Sequence, residues 1–251
     1  MDKKQNTDWY IQAFDKWYPI VYQQRNEQEA KEQVNFVLSE LDLSPHHKVL
    51  DLCCGYGRHI QYIKEKIPTT IGIDISTYLL RKAQESLKNT VIIVRGDIRC
   101  LPFKHNTFDA VLSFFTSFGY FANEKDNIKQ IKNVYNVLKG NGLFFLDYLN
   151  PEQAINIKMN RTKRIINNYT VIETRWYDDK TKILKKKVEI FSDENTIMTT
   201  YVEHVRIYMC SELETMLKQN NFAIMKTFGD YKKNKYTELS PRLIIVSKKN
   251  E

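Results

Sequence analysis

Apolar residues along the chain follow two alternating patterns: a helical spacing of three to four residues, which predicts helices, and short continuous runs, which predict strands. Residues 8–40 have helical spacing, and because Pro19 interrupts them we expect two N-terminal helices. Further helices are predicted at 58–67, after Ser76 as N-cap, and at 124–139, where Gly140-Asn141-Gly142 ends the helix. Short apolar runs between them, at 48–53, 69–74, 91–94, 108–113 and 143–148, predict strands. Strands that are apolar on both faces and alternate with helices are typical of a parallel sheet covered on both sides.

The pattern changes between about 161 and 209. Three β-rich runs, at 165–177, 183–191 and 198–209, are separated by short polar turns, which predicts an inserted antiparallel sheet. Helical spacing then resumes behind Ser211, with Glu214 at the capping-box position. The last two strands, 222–228 and 243–246, are joined by a connection too short for a crossover helix. We therefore expect a hairpin, in which the final strand runs antiparallel to its neighbours.

Composition places the chain among ordinary globular proteins. Of its 251 residues 42% are hydrophobic and 27% charged. The first eight residues lack the apolar segment of a signal peptide, and no apolar run approaches the roughly 18 residues of a membrane span. We expect a cytoplasmic protein without a membrane partner. The four cysteines show neither CxxC nor Cys/His ligand spacing, so we predict no metal site and no disulfide framework.

The formal charge of +8 raises the question of an anionic partner. Five lysines crowd one segment, at 180, 182, 185, 186 and 187. They could form a patch for an anionic partner such as nucleic acid, but aromatic residues do not interleave them. A solvated strand face is the interpretation that we prefer.

Chemistry-bearing residues stand where the predicted strands end. The stretch Val49 to His59 reads as a strand, a tight turn with Gly55 and Gly57, and a helix start. Asp51 lies in that strand, while Asp74 and Asp97 follow the next two strands. In an open parallel sheet such groups converge on one crevice, and Asp74 stands where a ribose diol could be bound. A nucleotide-type cofactor is the hypothesis that follows.

Three observations reduce the number of cofactor and reaction classes that fit. A dinucleotide fingerprint would have a third glycine where Ile60 stands. The antiparallel terminal hairpin is foreign to a doubled mononucleotide fold. The chain also has no GxxxxGK[ST] loop and no GxSxG elbow, which argues against phosphoryl transfer and serine hydrolysis.

Five ordered motifs resemble those of class I S-adenosylmethionine-dependent methyltransferases. They are Val49 to His59, Gly72 to Ser76, Arg95 to Ile98 with Leu101-Pro102-Phe103, Phe108 to Val111, and Leu138 to Leu143. The resemblance spans about residues 48–148 and returns at 211–248. Ser117 to Phe121, Ser240 to Leu243 and the insert look like a small-molecule subgroup, loosely similar to glycine and sugar N-methyltransferases.

The resemblance implies an α/β fold with a Rossmann-like, seven-stranded, mostly parallel sheet whose last strand is antiparallel, plus the inserted small antiparallel sheet. It divides the chain into an N-terminal helical lid (1–45), an S-adenosylmethionine-binding domain (46–152 and 211–251) and an inserted β subdomain (153–210). The cofactor would be S-adenosyl-L-methionine, and the product S-adenosyl-L-homocysteine.

The same resemblance implies roles for individual residues. Gly55 and Gly57 would line the methionine part of the cofactor beside Asp51, and Asp74 would hold the ribose hydroxyls. Tyr22 and Arg25 would cover the cofactor and pair its carboxylate, although from the sequence packing is an equally good reading. The full expected cofactor site comprises Tyr22, Arg25, Asp51, Gly55, Gly57, Asp74, Ile75, Asp97, Ile98 and Phe114.

The methyl acceptor is expected to be a small molecule with a nitrogen or oxygen nucleophile. Its pocket would be lined by Phe115, Thr116, Tyr120 and Tyr148. Direct displacement needs little acid–base work when the nucleophile is neutral, whereas an ammonium or hydroxyl needs a base. Candidates for that base are Tyr120, Tyr148 and His204.

Two other functions stay open at this level. The charge of +8 is compatible with an RNA methyltransferase, but the loop after the fourth strand reads Ser113-Phe114-Phe115-Thr116 and not an NPPY-type motif. A regulator that binds S-adenosylmethionine without turnover is the non-enzymatic alternative. The sequence leaves the acceptor and the oligomeric state open.

Overall fold

A computed structural model describes residues 8–251. Its helices are α1 (Trp9–Ala13), α2 (Tyr18–Val21), α3 (Glu27–Glu40), α4 (Ile60–Lys66), α5 (Thr77–Ser86), α6 (Glu124–Val137), α7 (Pro151–Ile155) and α8 (Cys210–Gln219). Its strands are β1 (Val49–Leu52), β2 (Thr70–Asp74), β3 (Ile92–Arg95), β4 (Phe108–Ser113), β5 (Leu138–Leu149), β6 (Asn160–Ile166), β7 (Tyr169–Asp178), β8 (Ile183–Ser192), β9 (Ile197–Arg206), β10 (Phe222–Phe228) and β11 (Arg242–Lys249).

The main sheet has seven strands in the order β10-β11-β5-β4-β1-β2-β3. The pairs of β1 with β2 and β4, of β2 with β3, and of β4 with β5 are parallel, whereas β11 is antiparallel to both β5 and β10. This confirms the predicted Rossmann-like fold with its reversed last strand. Because the parallel strands share a direction, the residues that follow β1, β2 and β4 meet at one edge of the sheet.

Helices and loops cover both faces of this sheet. On one face, Val34 and Val37 of α3 and Ile63 of α4 pack with Val49 and Leu112. On the other face, side chains of α6 and α8 pack with Leu50 and Val111 of the sheet, in one cluster with N-terminal aromatic residues such as Trp9. Within residues 8–251, no helix combines the length and apolar character that a membrane crossing requires.

The N-terminal segment forms three helices, not the two expected. Pro19 lies in the first turn of α2, where a missing N–H costs nothing, so it opens a helix and does not interrupt one. The break falls earlier, at residues 14–17. Asn26 caps α3 by accepting a hydrogen bond from the N–H of Glu29 at 2.7 Å.

The inserted sheet has four antiparallel strands in chain order, one more than predicted. The additional strand is β6, whose residues are largely polar and exposed except for Ile166. Four of the five lysines of the lysine-rich segment are paired or buried, and Lys180 is exposed. Nζ atoms of Lys182, Lys185 and Lys187 lie 2.8, 2.8 and 2.6 Å from acidic side chains, and Lys186 points inward and is buried.

Two predicted boundaries were wrong. Helix α6 ends at Val137 and β5 starts at Leu138, so Gly140-Asn141-Gly142 lies inside the strand and does not end the helix. Helix α8 starts at Cys210, and Glu212, not Glu214, closes the capping box by accepting the N–H of Met209 at 2.7 Å. Ser76 is the N-cap of α5, as predicted, and accepts the N–H of Leu79 at 3.1 Å.

Candidate active site

A cavity of about 890 Å³, partly open to solvent, lies at the edge of the sheet where β1, β2 and β4 end. Its wall combines the β1–α4 turn, the residues after β2 and β3, and the loop after β4. The N-terminal segment closes it with Tyr10, Phe14, Tyr18 and Arg25. The crevice predicted from the strand ends is therefore present, and the N-terminal helices form part of it.

The β1–α4 turn needs its two glycines for different reasons. Gly57 has a φ of +88°, and an added Cβ would lie 3.0 Å from Leu87 and 3.3 Å from Ile60, so this glycine permits close packing. Gly55 has a φ of +56°, but its Cβ would meet a single neighbour, Leu79, at 4.0 Å. The backbone at Gly55 thus borders open space inside the cavity, as a close ligand approach requires.

Asp74 ties the end of β2 to that turn. Its Oδ2 atom accepts the N–H of Gly55 at 2.9 Å, and its Oδ1 atom accepts the N–H of Ser76 at 2.8 Å. Burial raises the pKa of Asp74, while the backbone hydrogen bonds oppose that rise. The carboxylate is therefore held in one orientation on the cavity wall.

Asp51 is a buried acid with an unpaired oxygen. Asp51 is only 2% exposed to solvent. Its Oδ2 atom nevertheless has no hydrogen-bond partner among the described residues. Burial, and next the charge of Asp74, raises the pKa of Asp51 to about 8, against the lowering effect of Arg58. Asp51 is not among the residues that line the cavity. A buried unpaired acid is costly, and a cationic group bound at the cavity wall nearby would offset that cost.

The far side of the cavity is less polar. Ile75 and Ile98 line it together with Asp97. Arg99 binds Asp97 with an Nη2–Oδ2 distance of 2.6 Å. Partial burial tends to raise the pKa of Asp97, but the hydrogen bonds from Arg99 outweigh it and the pKa is lowered. Asp97 is thus ionised and fixed beside an apolar wall.

Arg25 brings an uncompensated positive charge to the wall. Its guanidinium carbon lies 4.2 Å from the ring centre of Tyr22 and 4.3 Å from that of Phe115, and its Nη1 donates to the hydroxyl of Tyr18 at 2.8 Å. It makes no salt bridge within residues 8–251, whereas the neighbouring Arg58 pairs with Glu29 at 3.3 Å. Arg25 is therefore free to bind an anionic ligand group.

Tyr22 does not line the cavity. Its hydroxyl donates to Glu203 at 2.8 Å and also contacts the ammonium of Lys186, which itself lies 2.8 Å from Glu203. Tyr22 thus joins α2 to the inserted sheet. Its ring packs against Arg25. Tyr22 therefore contacts a residue of the cavity wall and does not itself cover the cavity, contrary to the expectation from the sequence.

The residues expected around the acceptor divide into two groups. Phe115 and Tyr120 line the cavity, as does Phe114, which was expected in the cofactor site. Thr116 and Tyr148 do not, because their hydroxyls serve the protein: Thr116 accepts from Arg242 at 3.1 Å, and Tyr148 donates to the carbonyl of Arg206 at 2.5 Å. Tyr148 is fully buried, which removes it from the candidate bases.

A second cavity, of about 850 Å³, adjoins the first and shares Tyr120 and Phe121 with it. His204 and Trp9 line it, and the indole N–H of Trp9 has no partner among the described residues. Burial, with a smaller contribution from Lys185, lowers the pKa of His204, so the imidazole is neutral near pH 7. For Tyr120, burial raises the pKa well above 10, so its hydroxyl stays protonated and can donate.

Several wall residues were not predicted as site residues, namely Tyr10, Phe14, Tyr18, Tyr56, Arg58 and Ser117. The aromatic N-terminus was the available signal for the first three, but its spacing equally fits a packed helix. His59, which stacks on Phe114 with ring centres 4.0 Å apart, also lines the cavity. Within the part of the chain that the structure describes, no cluster of potential metal ligands occurs.

Comparison with known proteins relates part of this chain to a described family. Residues 49–142 match the family model described as a methyltransferase domain. The Bacillus subtilis protein YqeM, named as a methyltransferase, is 24% identical over 219 residues, which cover 84% of this chain and 88% of YqeM.

Solved structures share the fold. An S-adenosylmethionine-dependent methyltransferase from Clostridium acetobutylicum superposes with a TM-score of 0.80 at 19% identity, covering 94% of this chain and 96% of that one. The S-adenosylmethionine-bound structure of CalS10, an amino pentose methyltransferase from Micromonospora echinaspora, has a TM-score of 0.70 at 17% identity and full coverage of both chains.

The fold is Rossmann-like, and its cavity lies at the carboxyl ends of the parallel strands, where such folds bind ligands. The match of residues 49–142 to a methyltransferase domain and the similarity to YqeM support an enzyme of the class I S-adenosylmethionine-dependent type, with S-adenosyl-L-methionine as its cofactor. The residues present fit that cofactor, which carries a sulfonium, an ammonium, a carboxylate and an adenosyl group. The unpaired oxygen of Asp51, the open space at Gly55 and the free charge of Arg25 are the observations that match it.

Proposed function

We propose that this enzyme methylates a nitrogen or oxygen atom of a small molecule bound beside Tyr120. The observation that carries the proposal is the second cavity, which meets the cofactor cavity at Tyr120 and Phe121. Trp9, Tyr120 and His204 line this cavity, and a few such polar groups are what fix a ligand's orientation in small-molecule sites. An acceptor there would have one end against the wall of the cofactor cavity.

Specific residues are proposed to hold the cofactor. Asp51 takes the ammonium end, Arg25 takes the carboxylate, and Gly55 leaves room for the methionine part. Asp74 binds the ribose hydroxyls. The adenine is flanked by Ile75, Asp97 and Ile98, and Phe114 completes the wall. Gly57 shapes the turn from behind, and Tyr22 supports Arg25.

When bound, S-adenosylmethionine supplies an electrophilic methyl group and leaves as S-adenosylhomocysteine. The protein then has to orient the acceptor and receive its proton. His204 is the proposed base, because its imidazole is neutral and faces the second cavity. The hydroxyl of Tyr120, which stays protonated, positions the nucleophile as a hydrogen-bond donor or acceptor.

An amine acceptor fits these groups better than an alcohol. An imidazole whose pKa is lowered is a weak base, sufficient for an ammonium proton but poorly matched to an aliphatic hydroxyl. CalS10, which shares the fold, is named as an amino pentose methyltransferase, and this is consistent with an amine. The paired lysines of the insert give no particular support to a nucleic-acid acceptor.

The test is a competition between acceptor classes. Small primary and secondary amines, including amino sugars and amino acids, would be incubated with S-adenosylmethionine, and S-adenosylhomocysteine release measured by mass spectrometry. We expect release with a subset of amines and its loss in His204→Gln, while S-adenosylhomocysteine affinity stays unchanged. Release with hydroxyl compounds alone, or a His204→Gln enzyme as active as the wild type, would contradict the proposed base.

A further inference from the structure

Two residues of the loop after β4 adopt a backbone conformation that their side chains disfavour. Phe115 has a φ of +55° and Thr116 a φ of +58°. A left-handed backbone is unusual for an aromatic residue and still more so for a β-branched one. Such strain persists where the surrounding structure enforces it, and it concentrates at functional sites.

Asp147 of β5 enforces this turn with two hydrogen bonds. Its Oδ2 atom accepts the N–H of Phe115 at 2.9 Å, and its main-chain carbonyl accepts the N–H of Thr116 at 2.9 Å. The Asp147 side chain is fully buried. The turn is therefore fixed from inside the sheet.

Arg242 of β11 completes the arrangement. Its Nε donates to Oδ1 of Asp147 at 2.7 Å, and its Nη2 donates to the hydroxyl of Thr116 at 3.1 Å. The strand register explains the contact, since Arg242 stands two residues before Ile244, the partner of Asp147, and so lies on the same face. One guanidinium thereby joins β11, β5 and the strained turn.

The turn presents the ring of Phe115 to the cavity, and Arg25 packs on that ring. The guanidinium carbon of Arg25 lies 4.3 Å from the ring centre, and that of Arg58 lies 4.6 Å from it. Arg25 is the member of this pair that lacks a carboxylate partner within residues 8–251. Its direction depends on the Phe115 ring, on the ring of Tyr22 and on the hydroxyl of Tyr18.

We infer that the ion pair of Asp147 and Arg242 positions Arg25 for ligand binding by fixing the Phe115–Thr116 turn. The inference rests on the proposed role of Arg25 toward the cofactor carboxylate. A buried ion pair is a poor source of stability compared with apolar packing, so a role in orientation accounts better for its place beside a strained turn. Neither Asp147 nor Arg242 lines the cavity; both act through other residues.

The experiment is a double-mutant cycle on S-adenosylhomocysteine affinity, measured by isothermal titration calorimetry with the purified full-length protein. The variants are Arg25→Met, Arg242→Met and the double variant, with Phe115→Leu as a second way to remove the link. We expect about tenfold weaker binding for each single variant. Because Arg242 acts through Arg25, the double variant should bind no more weakly than Arg25→Met alone.

Asp109→Asn is the matched control. Asp109 also joins β4 to β5 through an ion pair, with Lys139 at 2.8 Å, but at the opposite edge of the sheet. It should lower the melting temperature without changing affinity. If Arg242→Met prevents folding, Thr116→Val removes one contact of Arg242 and is expected to weaken binding in the same direction, as Phe115→Leu does.

The outcomes separate the two claims. Unchanged affinity in Arg25→Met would refute the proposed role of Arg25 and, with it, the inference. Weaker binding in Arg25→Met but unchanged binding in Arg242→Met and Phe115→Leu would overturn the inference alone. Fully additive losses would also overturn it, because Arg242 would then act independently of Arg25.

Discussion

The carboxylate of Asp74 accepts the backbone N–H of Gly55 at 2.9 Å, so the last residue of β2 fixes the turn that follows β1. The same side chain accepts the N–H of Ser76 through its other oxygen at 2.8 Å. One acid therefore shapes the glycine turn, starts α5 and faces the cavity. This contact explains why two sequence motifs 19 residues apart lie on one wall of the cavity.

Replacing Asp74 should weaken cofactor binding strongly. Hydrogen bonds to a charged group are worth about 1.5–3 kcal/mol, so Asp74→Ala should raise the Kd for S-adenosylmethionine by roughly 10- to 100-fold. Asp74→Asn keeps one acceptor oxygen and should lose less. Calorimetric titration measures both, and an affinity equal to the wild type in Asp74→Ala would show that the ribose lies elsewhere.

The two glycines of the turn should respond differently to alanine. Both substitutions strain a positive φ by about 1–2 kcal/mol, but Gly57→Ala also forces a Cβ to 3.0 Å from Leu87. Gly57→Ala should therefore lower the melting temperature more. The Cβ of Gly55→Ala enters the open space of the cavity. This variant should therefore lose more cofactor affinity than Gly57→Ala, relative to the stability that each one loses. Thermal unfolding and titration of the two variants side by side test this order, and the reverse order would contradict it.

Cofactor binding should strengthen as pH rises toward 8 because of Asp51. With a pKa of about 8, this acid is mostly neutral at pH 6–7, and a cationic ligand favours its ionised form. Binding then releases a proton, so affinity should rise by up to about tenfold per pH unit below pH 8. In Asp51→Asn this component should vanish. Titrations in buffers of different ionisation enthalpy measure the proton release, and equal release by both proteins would exclude Asp51.

The same acid should affect stability in the opposite direction. Its pKa is raised in the folded state, so the folded protein binds more protons than the unfolded chain between about pH 4 and pH 8. Stability from this group is present at low pH and is lost as pH rises through about 8. Asp51→Asn should consequently gain in melting temperature relative to the wild type at pH 8.5 more than at pH 5.

His204 should control the acidic limb of the pH–rate profile. A base must be neutral, and burial lowers the pKa of His204, so activity should fall at acidic pH as the imidazole becomes protonated. His204→Gln should reduce kcat by about 10²–10⁴-fold and remove that limb. Tyr120→Phe should act mainly on acceptor KM. A limb that persists in His204→Gln would assign the base to another group.

The strands of the main sheet could be predicted from the sequence because each buried strand is a short apolar run. β6 could not, since its exposed polar residues show no alternation, and pairing with β7 is what makes it a strand. The end of α6 was also misplaced, because Gly140-Asn141-Gly142 predicts a helix stop. Those glycines lie in the strand, which begins directly at the helix end.

The site shows the same division. Gly55 and Asp74 stand in local motifs, and the structure places them on one wall as expected. Tyr22 and Lys186 could not be placed, because their contact joins segments 164 residues apart and turns a lysine from a charged run into the interior. Tyr148 was misjudged since an aromatic residue at a strand end can point into the core, and here its hydroxyl binds a carbonyl of the insert.

A labelled methyl group gives the sharpest test of a small-molecule acceptor. The enzyme would be incubated with S-adenosylmethionine carrying an isotope on its methyl group and with a cell extract separated into metabolites, RNA and protein. We predict that the label enters an amine in the metabolite fraction, and that Asp74→Ala abolishes this transfer. Label found in RNA or protein, with none in the metabolites, would contradict the proposed function.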